Sequence, residues 1–250
     1  MIIKKIIQES SIDYPGKYGP VIFTAGCNFR CGFCHNPELI NFDNGEENLD
    51  SLNDLKPKID RGWYDGVCIT GGEPLLHRSI DRIINLFKDM GLAVKIDTNG
   101  SNPEFLEELI KRKAIDYVAM DVKGPKEIYN EITNVKVNLE NIEKSMKILA
   151  FSEIDFEFRT TIIPIINKEI RWFNEKEINE MLNWVLKIIE GNKRKIKWNL
   201  QKFIARNKGE ILSEDYSKEK LPKEFWETPE EIMQKIKNIL EKYFEVEIIN

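Results

Sequence analysis

Cys27, Cys31 and Cys34 fall in the run Cys-Asn-Phe-Arg-Cys-Gly-Phe-Cys, directly after an apolar stretch, with three residues between the first pair and two between the second. Thiolates bind soft metals and iron–sulfur clusters, and spacings this short let consecutive thiolates reach one centre from a single loop. A structural zinc site asks for four protein ligands, and an electron-carrying [4Fe–4S] cluster asks for four cysteines. The loop supplies three. The economical reading is a cubane cluster whose fourth iron is left open for something other than protein, as catalytic zinc keeps one position open.

Such a loop needs a rigid support, and the sequence offers one. Apolar runs at 20–25, 67–70, 93–96, 117–122, 156–164 and 196–203 read as strands. Between them, residues Ile80 to Phe87, Phe105 to Ile110, Leu139 to Leu149 and Ile178 to Ile189 carry helical spacing, and a further helix is expected near Leu49 to Leu55 in an otherwise polar, irregular stretch from 36 to 62. Alternating strands and helices imply an α/β fold with a parallel sheet of βαβ units. A partial (β/α)6 barrel is the expected architecture, with a doubly wound open sheet as the alternative. Beyond Ala205 the chain turns charged. Thr228-Pro229-Glu230-Glu231 predicts a helix start with Thr228 as cap, running to about Tyr243, and Phe244 to Ile249 predicts a final strand. The expected division is a core at 1–205 and a packed extension at 206–250.

In β/α barrels the chemistry sits at the carboxyl ends of the strands. The uncommon residues of this chain fall there: the cysteines after the first predicted strand, Glu73 after the second, Asp97 and Asn99 after the third, Asp121 and Lys123 after the fourth, Arg159 with the fifth and Gln201 with the sixth. Asp121 and Lys123, two apart, share a side of an extended strand.

The cysteine loop, with Phe33 just before its last cysteine, resembles the radical S-adenosylmethionine (SAM) superfamily. Asp13-Tyr14-Pro15-Gly16, Gly26 to Cys31 and Cys34-His35-Asn36-Pro37 narrow the likeness to glycyl-radical-enzyme activases, and most to those of anaerobic ribonucleotide reductase. The resemblance spans about residue 10 to about residue 205. It implies a [4Fe–4S] cluster on Cys27, Cys31 and Cys34, with SAM chelated to the open iron and cleaved after one electron is delivered. The 5′-deoxyadenosyl radical then takes a hydrogen from one glycine of a partner enzyme, and a ferredoxin or flavodoxin is the expected electron donor.

SAM carries an ammonium, a carboxylate and a sulfonium, so a site with charges of both signs suits it. Gly71-Gly72 would let the backbone approach, Glu73 would pair with the ammonium, and Lys123 or Arg159 with the carboxylate. By resemblance, Phe33 and the backbone around His35 hold the adenine, while Asp97, Thr98 and Asp121 surround the methionine part or a monovalent cation; Asn99 and Gln201 complete the candidate set. Taken singly, Gly-Gly-Glu-Pro and Asp-Thr-Asn-Gly are ordinary turn sequences.

With 37 basic against 42 acidic residues, the net charge of −5 argues against a nucleic-acid binder relying on a strong positive field. Lys193-Arg194-Lys195 reads as a solvated turn. No apolar run reaches the roughly 18 residues of a membrane span, Met1 to Ile7 is too short for a secretory signal, and three of four cysteines in one loop is no disulfide framework. A reducing, cytoplasmic setting is expected. Cys68 reads as buried and inert, leaving cysteines for one cluster. Two rivals stay open: a radical SAM enzyme acting on a small molecule, such as a 7-deazaguanine synthase, and a non-enzymatic metal module in which Cys68 or His35 closes the site.

Overall fold

Two kinds of side chain alternate along the strands, and that alternation settles the architecture. The computed structural model describes residues 3–41 and 49–249; residues 1–2 and 42–48, which fall in the predicted non-signal start and the predicted irregular stretch, lie outside the described residues. In chain order the strands are β1 (Ile3–Ser10), β2 (Gly19–Thr24), β3 (Gly66–Gly71), β4 (Ala93–Thr98), β5 (Tyr117–Asp121), β6 (Asp155–Ile162), the short pair β7 (Ile165–Ile166) and β8 (Ile170–Arg171), β9 (Lys197–Lys202) and β10 (Glu245–Ile249). The α-helices are α1 (Lys56–Asp60), α2 (Ile80–Asp89), α3 (Pro103–Lys111), α4 (Tyr129–Thr133), α5 (Leu139–Phe151), α6 (Glu175–Ile188) and α7 (Glu230–Leu240). The turn at Leu49–Leu55 is a 3-10 helix.

The six predicted strands adjoin as β2-β3-β4-β5-β6-β9, all parallel. β10 adds a parallel strand beside β9, and β1 adds an antiparallel one beside β2, giving eight strands in a mostly parallel sheet. β1 escapes a reading by apolar runs because Lys4, Lys5, Gln8 and Glu9 are exposed along it, the usual make-up of a protected edge strand. Among the described residues no ladder joins β1 to β10, so the barrel is partial.

On one face Ile22, Ile69, Ile96, Val118, Met120, Phe158, Trp198 and Leu200 are buried with Ile83, Phe87, Leu106, Met146 and Val185 of the surrounding helices. Each large apolar side chain so buried contributes about 1.5–3 kcal/mol. The opposite, concave face carries Cys68, Lys95 and Tyr117 in one cross-strand row and Asp121, Arg159 and Asn199 in another. A polar interior of this kind is a binding face.

One detail departs from the sequence reading, and that reading leaves a second open. Thr228 does not cap α7: its buried hydroxyl accepts from Phe203 N at 2.8 Å and donates to Ile162 O at 2.6 Å, while Pro229 stands at the helix start without a side-chain cap. Asp13-Tyr14-Pro15-Gly16, to which the sequence assigns no position, lies at the other end of the strands from the cysteine loop. Tyr14 is buried with its ring 5.7 Å from that of Tyr117, at the start of β5, and against Gly66, at the start of β3. The segment plugs the amino end of the barrel, opposite the strand ends that carry the site.

Candidate active site

The cysteine loop leaves β2 and is pinned by backbone before any ligand is considered. Gly26 N donates to Leu39 O at 2.7 Å, Cys27 N to Ile40 O at 3.0 Å and Arg30 N to Thr133 O at 2.9 Å. The Arg30 guanidinium donates back to Cys27 O and Phe29 O, which stiffens the turn between the first two cysteines. Cys27, Cys31 and Cys34 are free thiols and line one cavity together with Phe33, Gly71, Gly72, Glu73, Asp97, Thr98, Asn99, Asp121, Lys123 and Arg159. His35 and Gln201 are not among its lining residues. The His35 ring lies 6.3 Å from that of Phe203 and burial lowers its pKa; Gln201 accepts from Thr161 Oγ1.

Gly71 and Gly72 approach the cysteine loop itself. Gly72 N donates to Thr24 O at 2.9 Å and Glu73 N to Gly26 O at 2.7 Å. A Cβ at position 72 would stand 2.1 Å from Gly26 O, and Gly71 holds φ of +124°, so neither position tolerates a side chain without strain. The Glu73 carboxylate is 1% exposed and accepts three hydrogen bonds, from Leu75 N at 3.0 Å, Thr98 Oγ1 at 2.7 Å and Asn99 N at 2.6 Å. Burial nevertheless outweighs these donors and pushes its pKa up to about 7.

Beside it runs a chain of opposite charges across β4, β5 and β6. Lys95 pairs with Asp97, Asp97 with Arg159 at 3.0 Å, Arg159 with Asp121 at 3.4 Å, and Asp121 with Lys123 at 2.8 Å. Burial alone would raise the Asp97 pKa, but Arg159 and Lys95 hold it below its ordinary value. Lys123 also stands 5.8 Å above the Phe33 ring. Arg159 sits mid-strand in β6 rather than at its end, and reaches the others because Asp121 is its cross-strand partner. Among the described residues its buried Nε makes no hydrogen bond and meets Asp121 Oδ1 only as an ion pair. Lys95 went unread in the sequence although its place two residues before Asp97, on the same face, was the available signal. Phe29 and Asn36, also lining the cavity, lie within the motifs read from the sequence without an assigned role, and Ile40 and Thr70 carried no signal.

The sequence pattern of the Radical SAM superfamily matches residues 21–185, which includes the cysteine loop, the Gly-Gly-Glu turn and the charged strand ends. The chain belongs to the radical SAM superfamily. A Methanocaldococcus jannaschii protein named for glycyl-radical enzyme activation is 39% identical over 174 residues, 67% of this chain and 71% of that one. The pyruvate formate-lyase-activating enzyme of Clostridium pasteurianum is 30% identical over 237 residues, 72% of this chain and 98% of that one. Within the superfamily, the chain therefore belongs with the activating enzymes. The 7-carboxy-7-deazaguanine synthase of Aquifex aeolicus is 34% identical over 105 residues, 42% of this chain and 45% of that one. Among solved structures, Streptococcus suis SuiB bound to S-adenosylmethionine shares the fold with a TM-score of 0.65 at 16% identity, over 92% of this chain and 50% of that longer one.

Radical SAM membership implies a [4Fe–4S] cluster and SAM, and the donor set fits them. Among the described residues no three His, Cys, Asp or Glu side chains converge closely enough to hold a single metal ion. In a cubane each thiolate binds its own iron, and the three cysteines line one cavity as a cluster would need. Cys68 is buried in β3 with its sulfur 3.6 Å from Lys95 Nζ and, like His35, stays outside the cavity, which removes both as a closing ligand. Burial pushes the Cys27 thiol up to about 12 and Cys31 up to about 11, so thiolates form here with the help of bound iron.

Proposed function

We propose that this radical SAM protein generates a glycyl radical on a partner enzyme, and that anaerobic ribonucleotide reductase is the first partner to test. The observation that carries the reading is the single cavity in which three thiols face Glu73 and the Asp97–Arg159–Asp121–Lys123 chain. A [4Fe–4S] cluster held there by Cys27, Cys31 and Cys34 would supply the one-electron, radical-generating chemistry on SAM, with the substrate hydrogen coming from a glycine Cα of the partner.

The protein's own residues bind, orient and exclude water. Cys27, Cys31 and Cys34 would hold the cluster. Glu73 pairs with the SAM ammonium, and Lys123 and Arg159, each already beside a carboxylate, balance the SAM carboxylate. Asp97, Thr98 and Asp121 face the methionine part, or a monovalent cation next to it, and Phe33 contacts the adenine. Asn99, whose side chain donates to Asn28 Oδ1 at 2.9 Å, holds the cysteine loop against the end of β4. A low-potential ferredoxin or flavodoxin is the electron donor in this reading, and residues 206–250 form an extension on the 1–205 core.

The choice of ribonucleotide reductase rests on Cys34-His35-Asn36-Pro37 and the Tyr14 segment; the likeness to pyruvate formate-lyase-activating enzymes makes pyruvate formate-lyase the second arm of the test. Reduced protein is incubated with SAM and each candidate carrying deuterated glycine. A glycyl-radical signal, with deuterium in 5′-deoxyadenosine, is expected with one of them. SAM cleavage without deuterium transfer from any candidate would replace this reading with a small-molecule enzyme, for which the 7-carboxy-7-deazaguanine synthase likeness supplies the first substrate class.

A further inference from the structure

The segment from Ile211 to Tyr216 lies over the outer side of the cysteine loop. Leu212 N donates to Cys34 O at 3.1 Å and Ser213 N to Gly32 O at 2.9 Å, so two carbonyls of the cluster loop are satisfied by this segment. The Tyr216 ring stands edge-on to Phe33 at 6.0 Å and to Phe203 at 5.8 Å. A Cβ at Gly32 would come within 2.8 Å of that ring, which shows how closely the two surfaces meet. Behind the ring, Ser217 is fully buried, Lys218 N donates to Arg206 O at 2.8 Å and Leu221 N to Ser217 O at 2.8 Å, so the segment is braced against the end of β9.

We propose that Tyr216 is a positioning residue for the iron–sulfur cluster: its ring closes the solvent side of the loop between Cys31 and Cys34 and thereby lowers the reduction potential of the bound cluster. A cluster gains one negative charge on reduction, and nearby water stabilises the more charged state. A ring that keeps water from the ligand loop disfavours reduction, because solvent exposure is one of the determinants of cluster potential. The same cover slows access of dioxygen to the cluster. The inference rests on the cluster being held by Cys27, Cys31 and Cys34, and is independent of the partner enzyme.

The test uses the full chain, reconstituted anaerobically with iron and sulfide, with iron content measured first. Wild type, Tyr216→Phe and Tyr216→Ala are then compared by redox titration followed by electron paramagnetic resonance, without SAM, and by the rate at which the visible absorption is lost in air. Tyr216→Ala is expected to hold a full complement of iron, to titrate at a more positive potential and to bleach several-fold faster; Tyr216→Phe should match wild type. If Tyr216→Ala does not fold, Tyr216→Val, which leaves most of the space of the ring open to water, should move both readouts in the same direction. A folded Ala or Val variant with wild-type potential and bleaching rate overturns the proposal. A wild-type chain that takes up no cluster overturns it together with the cluster assignment, and the iron analysis separates that failure from the other.

Discussion

The hydroxyl of Thr98, at the end of β4, donates to the Glu73 carboxylate at 2.7 Å and fixes it beside the end of β3. That carboxyl has an ordinary pKa of 4.5 and is raised to about 7 here, with burial the dominant cause. Folded protein therefore holds the proton more tightly than unfolded chain between these values. The stability that Glu73 contributes is fully present below pH 4.5 and is lost as the pH rises to about 7. Relative to Glu73→Gln, which stays neutral, the wild type should lose roughly 3 kcal/mol across that window, at about 1.4 kcal/mol per pKa unit. Urea melts of both proteins from pH 4.5 to 8 check this, and a pH-independent difference would reject it.

An ammonium placed against Glu73 favours its charged form. Near pH 7, SAM binding should then release part of a proton, read by calorimetry in buffers of different ionisation enthalpy. Glu73→Gln should abolish the release and weaken binding by about 2–5 kcal/mol, as for one partner of a buried charged pair. Equal proton release in both proteins would assign the ammonium elsewhere.

Cys27→Ala, Cys31→Ala or Cys34→Ala should each reduce cluster content to a small residue of wild type after anaerobic reconstitution. Cys68→Ala should keep it, since Cys68 is 2% exposed within β3 and outside the cavity. Iron and sulfide analysis decides, and a Cys68 variant that loses the cluster would refute the three-ligand site.

Arg159 is the cation between two partly buried carboxylates, Asp97 and Asp121. Arg159→Gln leaves them undercompensated and should cost about 2–3 kcal/mol in denaturant unfolding, less than the roughly 3–5 kcal/mol usual for a fully buried pair. Lys123→Gln, at the outer end of the chain of charges, should cost less. Equal losses would mean that the charges do not act as a graded chain.

Tyr14→Ala should lower stability by about 3 kcal/mol, as expected for deleting a buried aromatic ring. Cluster content and SAM binding should stay at wild-type level, because the ring plugs the far end of the barrel against Tyr117. A selective loss of cluster with unchanged stability would place Tyr14 functionally with the site after all.

The parallel strands were legible because their outward residues form apolar runs, and the cysteine loop because three thiols at such spacing have few other uses. Pairings between distant segments were not legible. Thr228 has the composition of a helix cap, yet its hydroxyl is used across the chain by Phe203 and Ile162. Lys95 lies within the run 93–96 read as an apolar strand, and its partners Asp97 and Cys68 show only in the fold. Gly71 and Gly72 were read for ligand approach and do line the cavity, but their close packing on Thr24 and Gly26 was not legible. Tyr216, in a charged stretch without periodicity, gave no hint that it would lie on Phe33.

Glu73 deserves a mechanical reading. Its N–H is bonded to Gly26 after β2, it stands itself at the end of β3, and its carboxylate takes Thr98 and Asn99 at the end of β4. One residue thus clasps three neighbouring strand ends. An open barrel can alter its girth, and with β4, β5 and β6 tied in turn by the pairs of Arg159 with Asp97 and Asp121, such a change would fall on the arc of β9 and β10. A bulky guest can spread that arc while the thiols and the Gly-Gly-Glu turn keep their mutual alignment, so the aperture and the aim of the site are mechanically decoupled.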